Sequence, residues 1–149
     1  MAKEEKFLKI FTDGGSRGNP GESATGVVIY DQDEKLIWER GEYAGKGTNN
    51  EAEYLALSRA LDWLVECKRE GWQACQVDKV FFYLDSKLVV EQMNDNWKVK
   101  EPRMRVLKEQ CQQRVAEIGL EVVFQHIARE KNKRADELVN QALDLHLAN

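Results

Sequence analysis

Five consecutive apolar residues, Val80-Phe81-Phe82-Tyr83-Leu84, run straight into Asp85. A run of strand length with no polar alternation predicts a central strand covered on both faces, which requires helices above and below a sheet. The helices are legible too. From about Asn50 to Arg69, Tyr54, Leu57, Leu61, Leu64 and Val65 recur at helical spacing, with Thr48 or Asn49 able to cap the first turn. A short helix capped by Ser86 runs to about Asn94. A third, from roughly Arg103 to Ile118, carries Met104, Leu107, Cys111, Val115 and Ile118 on one face and stops at Gly119. The last carries Ala135, Leu138, Val139, Ala142 and Leu145.

The remaining strands read from β-branched and aromatic runs bounded by turn residues. Phe7 to Thr12 enters a loop dense in turn residues, Gly14 to Gly21; Ala24 to Tyr30 and Leu36 to Tyr43 complete an antiparallel meander; Glu121 to Ile127 alternates. The order βββαβα(α)βα predicts an α/β fold, a five-stranded mixed sheet flanked by helices, in a single domain over residues 1–149.

With 42% hydrophobic and 32% charged residues the chain has a globular composition. Met1 to Lys6 is charged, without the apolar core of a signal peptide, and no stretch approaches membrane-spanning length. A cytoplasmic protein is expected, and nothing demands more than a monomer. Cys67, Cys75 and Cys111 cannot all pair and lack C-x-x-C spacing, which argues against a disulfide scaffold and a zinc site; Cys111 reads as a small buried helical residue. The net charge of −4 excludes binding of nucleic acid through a global basic field. The sign is segregated, however: between Trp97 and Arg134 ten Lys and Arg stand against five Glu, a local surplus of +5.

Four acids fall at the ends of elements. Asp13 follows the first strand, Asp85 the apolar strand, Glu53 sits one turn inside the long helix at the edge of its core-facing stripe, and Asp136 lies near the start of the last helix. Singly, ordinary readings are at hand: Asp85 as a helix cap, Asp136 as a charge favoured by the helix dipole, and Glu53 as a first-turn charge facing water, the reading that Glu51 beside it takes. Strand ends are also where open α/β sheets place binding crevices. Carboxylates brought together there call for a cation, and an oxygen-only set suits Mg²⁺ or Mn²⁺.

In these residues the chain resembles the type 1 ribonuclease H family over nearly its whole length. The resemblance rests on Thr12-Asp13-Gly14-Gly15 with Gly18-Asn19-Pro20-Gly21, Thr48-Asn49-Asn50-Glu51-Ala52-Glu53-Tyr54, Leu84-Asp85-Ser86, and Asn132-Lys133-Arg134-Ala135-Asp136-Glu137-Leu138. It implies an endonuclease that cleaves the RNA strand of RNA/DNA hybrids with two divalent ions, leaving 3′-hydroxyl and 5′-phosphate ends. Asp13, Glu53, Asp85 and Asp136 would be its metal-binding carboxylates. Two ions about 4 Å apart can activate an attacking water and stabilise the leaving oxygen. Gly14, Gly15, Asn19, Asn49 and Asn50 would meet the RNA, amides being suited to a 2′-hydroxyl that both donates and accepts. Asn19 also reads as a turn residue and Asn49 as a cap. The DNA strand would lie along Trp97, Lys98 and Lys100, although Trp97 reads equally as a core residue.

Two departures from the family pattern stand out. The loop before the last helix, Ala128 to Asn132, lacks the histidine that many members carry; some members have an arginine in this loop, so the resemblance makes Arg129 the candidate substitute, while His126 falls inside a strand and reads as structural or exposed. The basic protrusion of some bacterial members is absent, replaced by Trp97 to Arg105, and weaker, more salt-sensitive binding is expected. Rival readings are a transposase-like or junction-resolving nuclease of the same superfold, and a catalytically idle hybrid-binding or reverse-transcriptase-derived module. The paired amides favour RNA over the first, and the complete acid set argues against the second.

Overall fold

The structure, a computed structural model, describes residues 5–148; the charged start at Met1 to Glu4 lies outside them. Strands β1 (Phe7–Gly18), β2 (Gly21–Asp31) and β3 (Leu36–Gly47) form an antiparallel meander. Helix α1 (Asn49–Glu70) leads through a short 3₁₀ turn to β4 (Lys79–Leu84), and α2 (Lys87–Met93) and α3 (Pro102–Ile118) lead to β5 (Glu121–His126). Helix α4 (Lys133–Ala148) ends the fold. The sheet order is β3-β2-β1-β4-β5, with β4 parallel to both β1 and β5. Among the described residues no helix is long and apolar enough to cross a membrane.

Alternation along the strands builds two unequal faces. Leu8, Ile10, Val27, Ile29, Val80, Phe82 and Leu84 point into the main core, against Tyr54, Leu57, Leu61 and Leu64 of α1 and Met104, Cys111 and Ile118 of α3. On the other face α4 buries Ala135, Leu138, Val139 and Leu143 over Ala24 and Val28 of β2. Helix α4 packs on β1 to β3, so β4 is fully covered on one face only. Phe81 and Tyr83 stay half-buried on the other, beside Phe7 and Phe11. The apolar run therefore departs from its expected place: it is the fourth strand of the sheet in order, and β1 holds the centre.

Two glycines set how closely these layers approach. A Cβ on Gly14 would lie 2.2 Å from the carbonyl of Ala52, and one on Gly26 would lie 2.2 Å from the carbonyl oxygen of Ala135. Without side chains at these points, α1 and α4 settle directly on the strands. Gly14→Ala is expected to destabilise the chain by about 1–3 kcal/mol and to separate Asp13 from Glu53. Thermal unfolding and the cleavage rate would register the two effects separately.

The stretch Gly14 to Gly18, read as loop, is strand: its backbone pairs with Thr25 through Gly21, and the hairpin turns only at Asn19-Pro20. The cysteines also correct the expectation, because Cys67 and Cys75 form a disulfide across eight positions, with Cα atoms 6.0 Å apart. The αL cap at Gly71 turns the chain back after α1 and brings the two together. Cys111 is buried and free, as expected. Closing so short a loop contributes on the order of 2–3 kcal/mol, and reduction should lower the melting temperature by roughly 5–10 °C. Thermal scans with and without dithiothreitol would measure it.

Candidate active site

Thr48 caps α1, accepting from the Glu51 N–H at 3.1 Å, and Glu51 reaches back to the Thr48 N–H at 3.3 Å. Glu51 is therefore occupied by a capping box rather than simply solvated. Asn49, the other capping candidate, is freed for a different task. Its side-chain oxygen accepts from the N–H of Ser16 at 2.9 Å and from its hydroxyl at 3.1 Å, while its own N–H donates to Asn19 Oδ1 at 3.0 Å. Asn19 thus combines its place in the turn with a tie between the β1–β2 hairpin and the start of α1.

This docking places Glu53, on the first turns of α1, against β1. Its Oε1 accepts from the Gly14 N–H at 3.1 Å, and its Oε2 is buried with no donor in reach. Asp13 and Glu53 are each only 7% exposed. Asp85, half-buried just beyond β4, is brought beside Asp13 by the parallel β1–β4 pairing, in which Thr12 faces Leu84. Oxygen atoms of Asp13, Glu53 and Asp85 lie within 4.8 Å of one another.

Asp136 lines the same cleft, of about 430 Å³, without joining that tight group. It is held from two sides. Arg134 grips Glu39 of β3 with two hydrogen bonds, 3.0 and 2.6 Å. Buried Asn132 donates to the Thr12 carbonyl at 2.8 Å, and its own carbonyl accepts from the Asp136 N–H.

The cleft brings in Gly14, Gly15, Asn49, Asn50 and Arg129 as well. Asn19 lines an adjoining hollow with Thr48, Asn49, Asn50 and Arg103. Trp97, Lys98 and Lys100 line neither. Trp97 is 43% exposed, which removes the core reading, and Lys87 Nζ lies 6.0 Å from its ring centre. Lys98 and Lys100 flank a separate basic groove with Arg105 and Lys108. His126 is exposed, but its Nε2 lies 3.2 Å from the Asp85 carbonyl. An acceptor there makes Nε2 the protonated nitrogen.

The electrostatics follow from crowding acids in a dry corner. Burial pushes the Asp13 carboxyl up to about 7, with the charges of Asp85 and Asp136 adding to the rise; the neighbouring Glu53 carboxyl and the Arg129 charge oppose it. Burial, then the Asp13 charge, raise Glu53 well above the usual carboxylate range. Asp85 is raised by burial, against a lowering by Asn132 and Arg129. Without a cation, burial and mutual repulsion push all three carboxyls toward their protonated forms. A hard divalent cation fits instead: the donors are all oxygens, and Glu53 Oε2 lacks any donor among the described residues.

Sequence and structure comparisons agree with this architecture. The profile of the family described as reverse transcriptase-like matches residues 11–142. A ribonuclease H of Pseudomonas putida is 34% identical over 151 residues, covering 92% of this chain and 93% of the relative. The bifunctional protein Rv2228c of Mycobacterium tuberculosis is 38% identical over 136 residues, and there the chain spans only 35% of the relative's length. Among solved structures, LC11-RNase H1 in complex with an RNA/DNA hybrid superposes with TM-score 0.84 at 43% identity, over 94% of this chain and 99% of that one. RNase H1 from Halobacterium salinarum gives 0.82 at 33% identity, over 93% and 98%.

The strand order and the helices on each face are those of the ribonuclease H-like fold. Within it, the chain belongs to the type 1 ribonuclease H family, a family of metal-dependent nucleases.

Proposed function

We propose that the protein hydrolyses the RNA strand of RNA/DNA hybrids at this cleft, with two Mg²⁺ or Mn²⁺ ions, leaving 3′-hydroxyl and 5′-phosphate ends. The observation that carries this reading is the trio Asp13, Glu53 and Asp85, with oxygens within 4.8 Å and one buried oxygen lacking a donor. Asp136 completes the set from α4. Bound ions would supply Lewis-acid activation of water and charge stabilisation at the leaving oxygen.

The chain's own residues do the rest. Asp13 and Glu53 are pre-positioned by the β1–α1 contact at Gly14, so little reorganisation accompanies binding. The exposed amides of Asn49 and Asn50, with the Gly14-Gly15 backbone and Asn19, stand where a 2′-hydroxyl can be read. Arg129 supplies a cation at the rim in place of the absent loop histidine. Trp97, Lys98 and Lys100, away from the cleft, suit the second strand, whose phosphates need charge and whose sugars offer a stacking face. A single cytoplasmic domain acting as a monomer fits this reading.

The test is a labelled hybrid incubated in Mg²⁺ or Mn²⁺ beside single-stranded RNA, duplex RNA and duplex DNA. Cleavage confined to the RNA of the hybrid is the expected result. Intact hybrid with both metals would overturn the assignment.

A further inference from the structure

We propose that Arg17, near the tip of the β1–β2 hairpin, is a substrate-positioning residue that takes a backbone phosphate of the strand entering the carboxylate cleft. This rests on the function proposed above. The cleft is lined by four acids, yet its substrate is a polyanion, so cations among the lining residues decide where phosphates can sit. Among the described residues that line it, two are cations, Arg17 from the hairpin and Arg129 from the loop before α4.

Arg17 is held ready on α4. Its Nη2 lies 2.7 Å from Asp144 Oδ1, 3.4 Å from Asn140 Oδ1 and 3.5 Å from the Asn140 carbonyl oxygen. The Asn140 amide in turn donates to the Asp136 carbonyl at 3.0 Å. The guanidinium therefore reaches across the mouth of the cleft to the stretch of helix that carries the fourth acid.

A structural ion pair would be the plain explanation, but the side chains are 39% and 69% exposed. Pairs that open to water contribute about 0–1 kcal/mol. A guanidinium this exposed, with a planar fork of donors and a weakly held carboxylate partner, exchanges that partner readily for a phosphate. Asp144 then acts as a latch that competes with the substrate.

Hybrid binding to the full chain in Ca²⁺, followed by fluorescence anisotropy across a salt series, tests this directly, with cleavage in Mg²⁺ and thermal unfolding measured alongside. Arg17→Ala should weaken binding about tenfold and reduce the slope of log Kd against log salt by about 1, with kcat within about twofold and the melting temperature within about 2 °C. Arg17→Lys should recover part of the affinity. Asp144→Asn should tighten binding about twofold in the wild-type background and not when Arg17 is Ala.

An unchanged Kd and salt slope for Arg17→Ala would overturn the proposal, as would a loss of melting temperature that accounts for the weaker binding. The two readings fail separately: wild type that binds hybrid but leaves it intact sinks the proposed activity while the binding series still decides on Arg17. Wild type that does not bind hybrid sinks both.

Discussion

Asp13→Asn is expected to reduce hybrid cleavage by about 10³-fold or more, a loss on the order of 4 kcal/mol of transition-state stabilisation. It should also make the metal-free protein harder to melt at pH 8. The two effects share one cause. Burial holds the Asp13 carboxyl near 7 in the folded chain against an ordinary value of 3.8, so at pH 8 folding retains an ionised acid beside Glu53 and Asp85 in a poorly hydrated corner. Asparagine removes that charge at nearly constant volume. A gain on the order of 2–4 kcal/mol follows from the size of the shift. Denaturant titration in EDTA at pH 8 and initial rates in Mg²⁺ are the two measurements. A variant less stable than wild type would mean that the site is not under electrostatic strain, and retained cleavage would remove Asp13 from the chemistry.

Much of this was readable in the chain, because its physical signals are local. The helical stripe of α1, the αL glycine ending α3 and the Ser86 cap all depend on neighbours within a turn or two, and the order of elements matched the structure. The position of Glu53 at the edge of an apolar face was visible from periodicity, which is why one acid could be separated from Glu51 two residues earlier. What escaped depends on contacts far apart in sequence. Gly14 looked like a turn residue, since nothing local distinguishes a glycine needed for a turn from one needed because a helix backbone passes over it. The Cys67–Cys75 bond needed the reversal at Gly71, which no C-x-x-C spacing announces. The half-open face of β4 depended on where α4 would lie. Arg17 and Asn140 joined the cleft through the docking of a hairpin tip on a helix more than a hundred residues away, and Ser16 through its contact with Asn49 at the start of α1; Asn132 is the buried bridge between β1 and the start of α4. A search for polar residues at hairpin tips beside acid-bearing strand ends would have raised Ser16 and Arg17.

A second large effect should appear when pH and metal are varied together. In metal-free protein the raised Asp13 carboxyl favours folding while it is protonated. Its contribution is fully present below the ordinary value of 3.8 and is lost as pH climbs through about 7; Glu53 and Asp85, shifted in the same direction, reinforce the trend. In EDTA, stability from this site should therefore fall between pH 5 and pH 8. A divalent cation held at the proposed site would bind the ionised carboxylates and have little affinity for the protonated set, so it would compete with protons for the same oxygens. Saturating Mg²⁺ or Mn²⁺ should raise the melting temperature by several degrees at pH 8, on the order of 3 kcal/mol at about a hundred times the dissociation constant, and by little at pH 5. The metal increment thus grows with pH while the metal-free baseline declines. Melting curves at the two pH values, with and without metal, test both slopes, and Glu53→Gln should flatten both. A metal increment as large at pH 5 as at pH 8 would show that the ion binds somewhere other than these coupled acids.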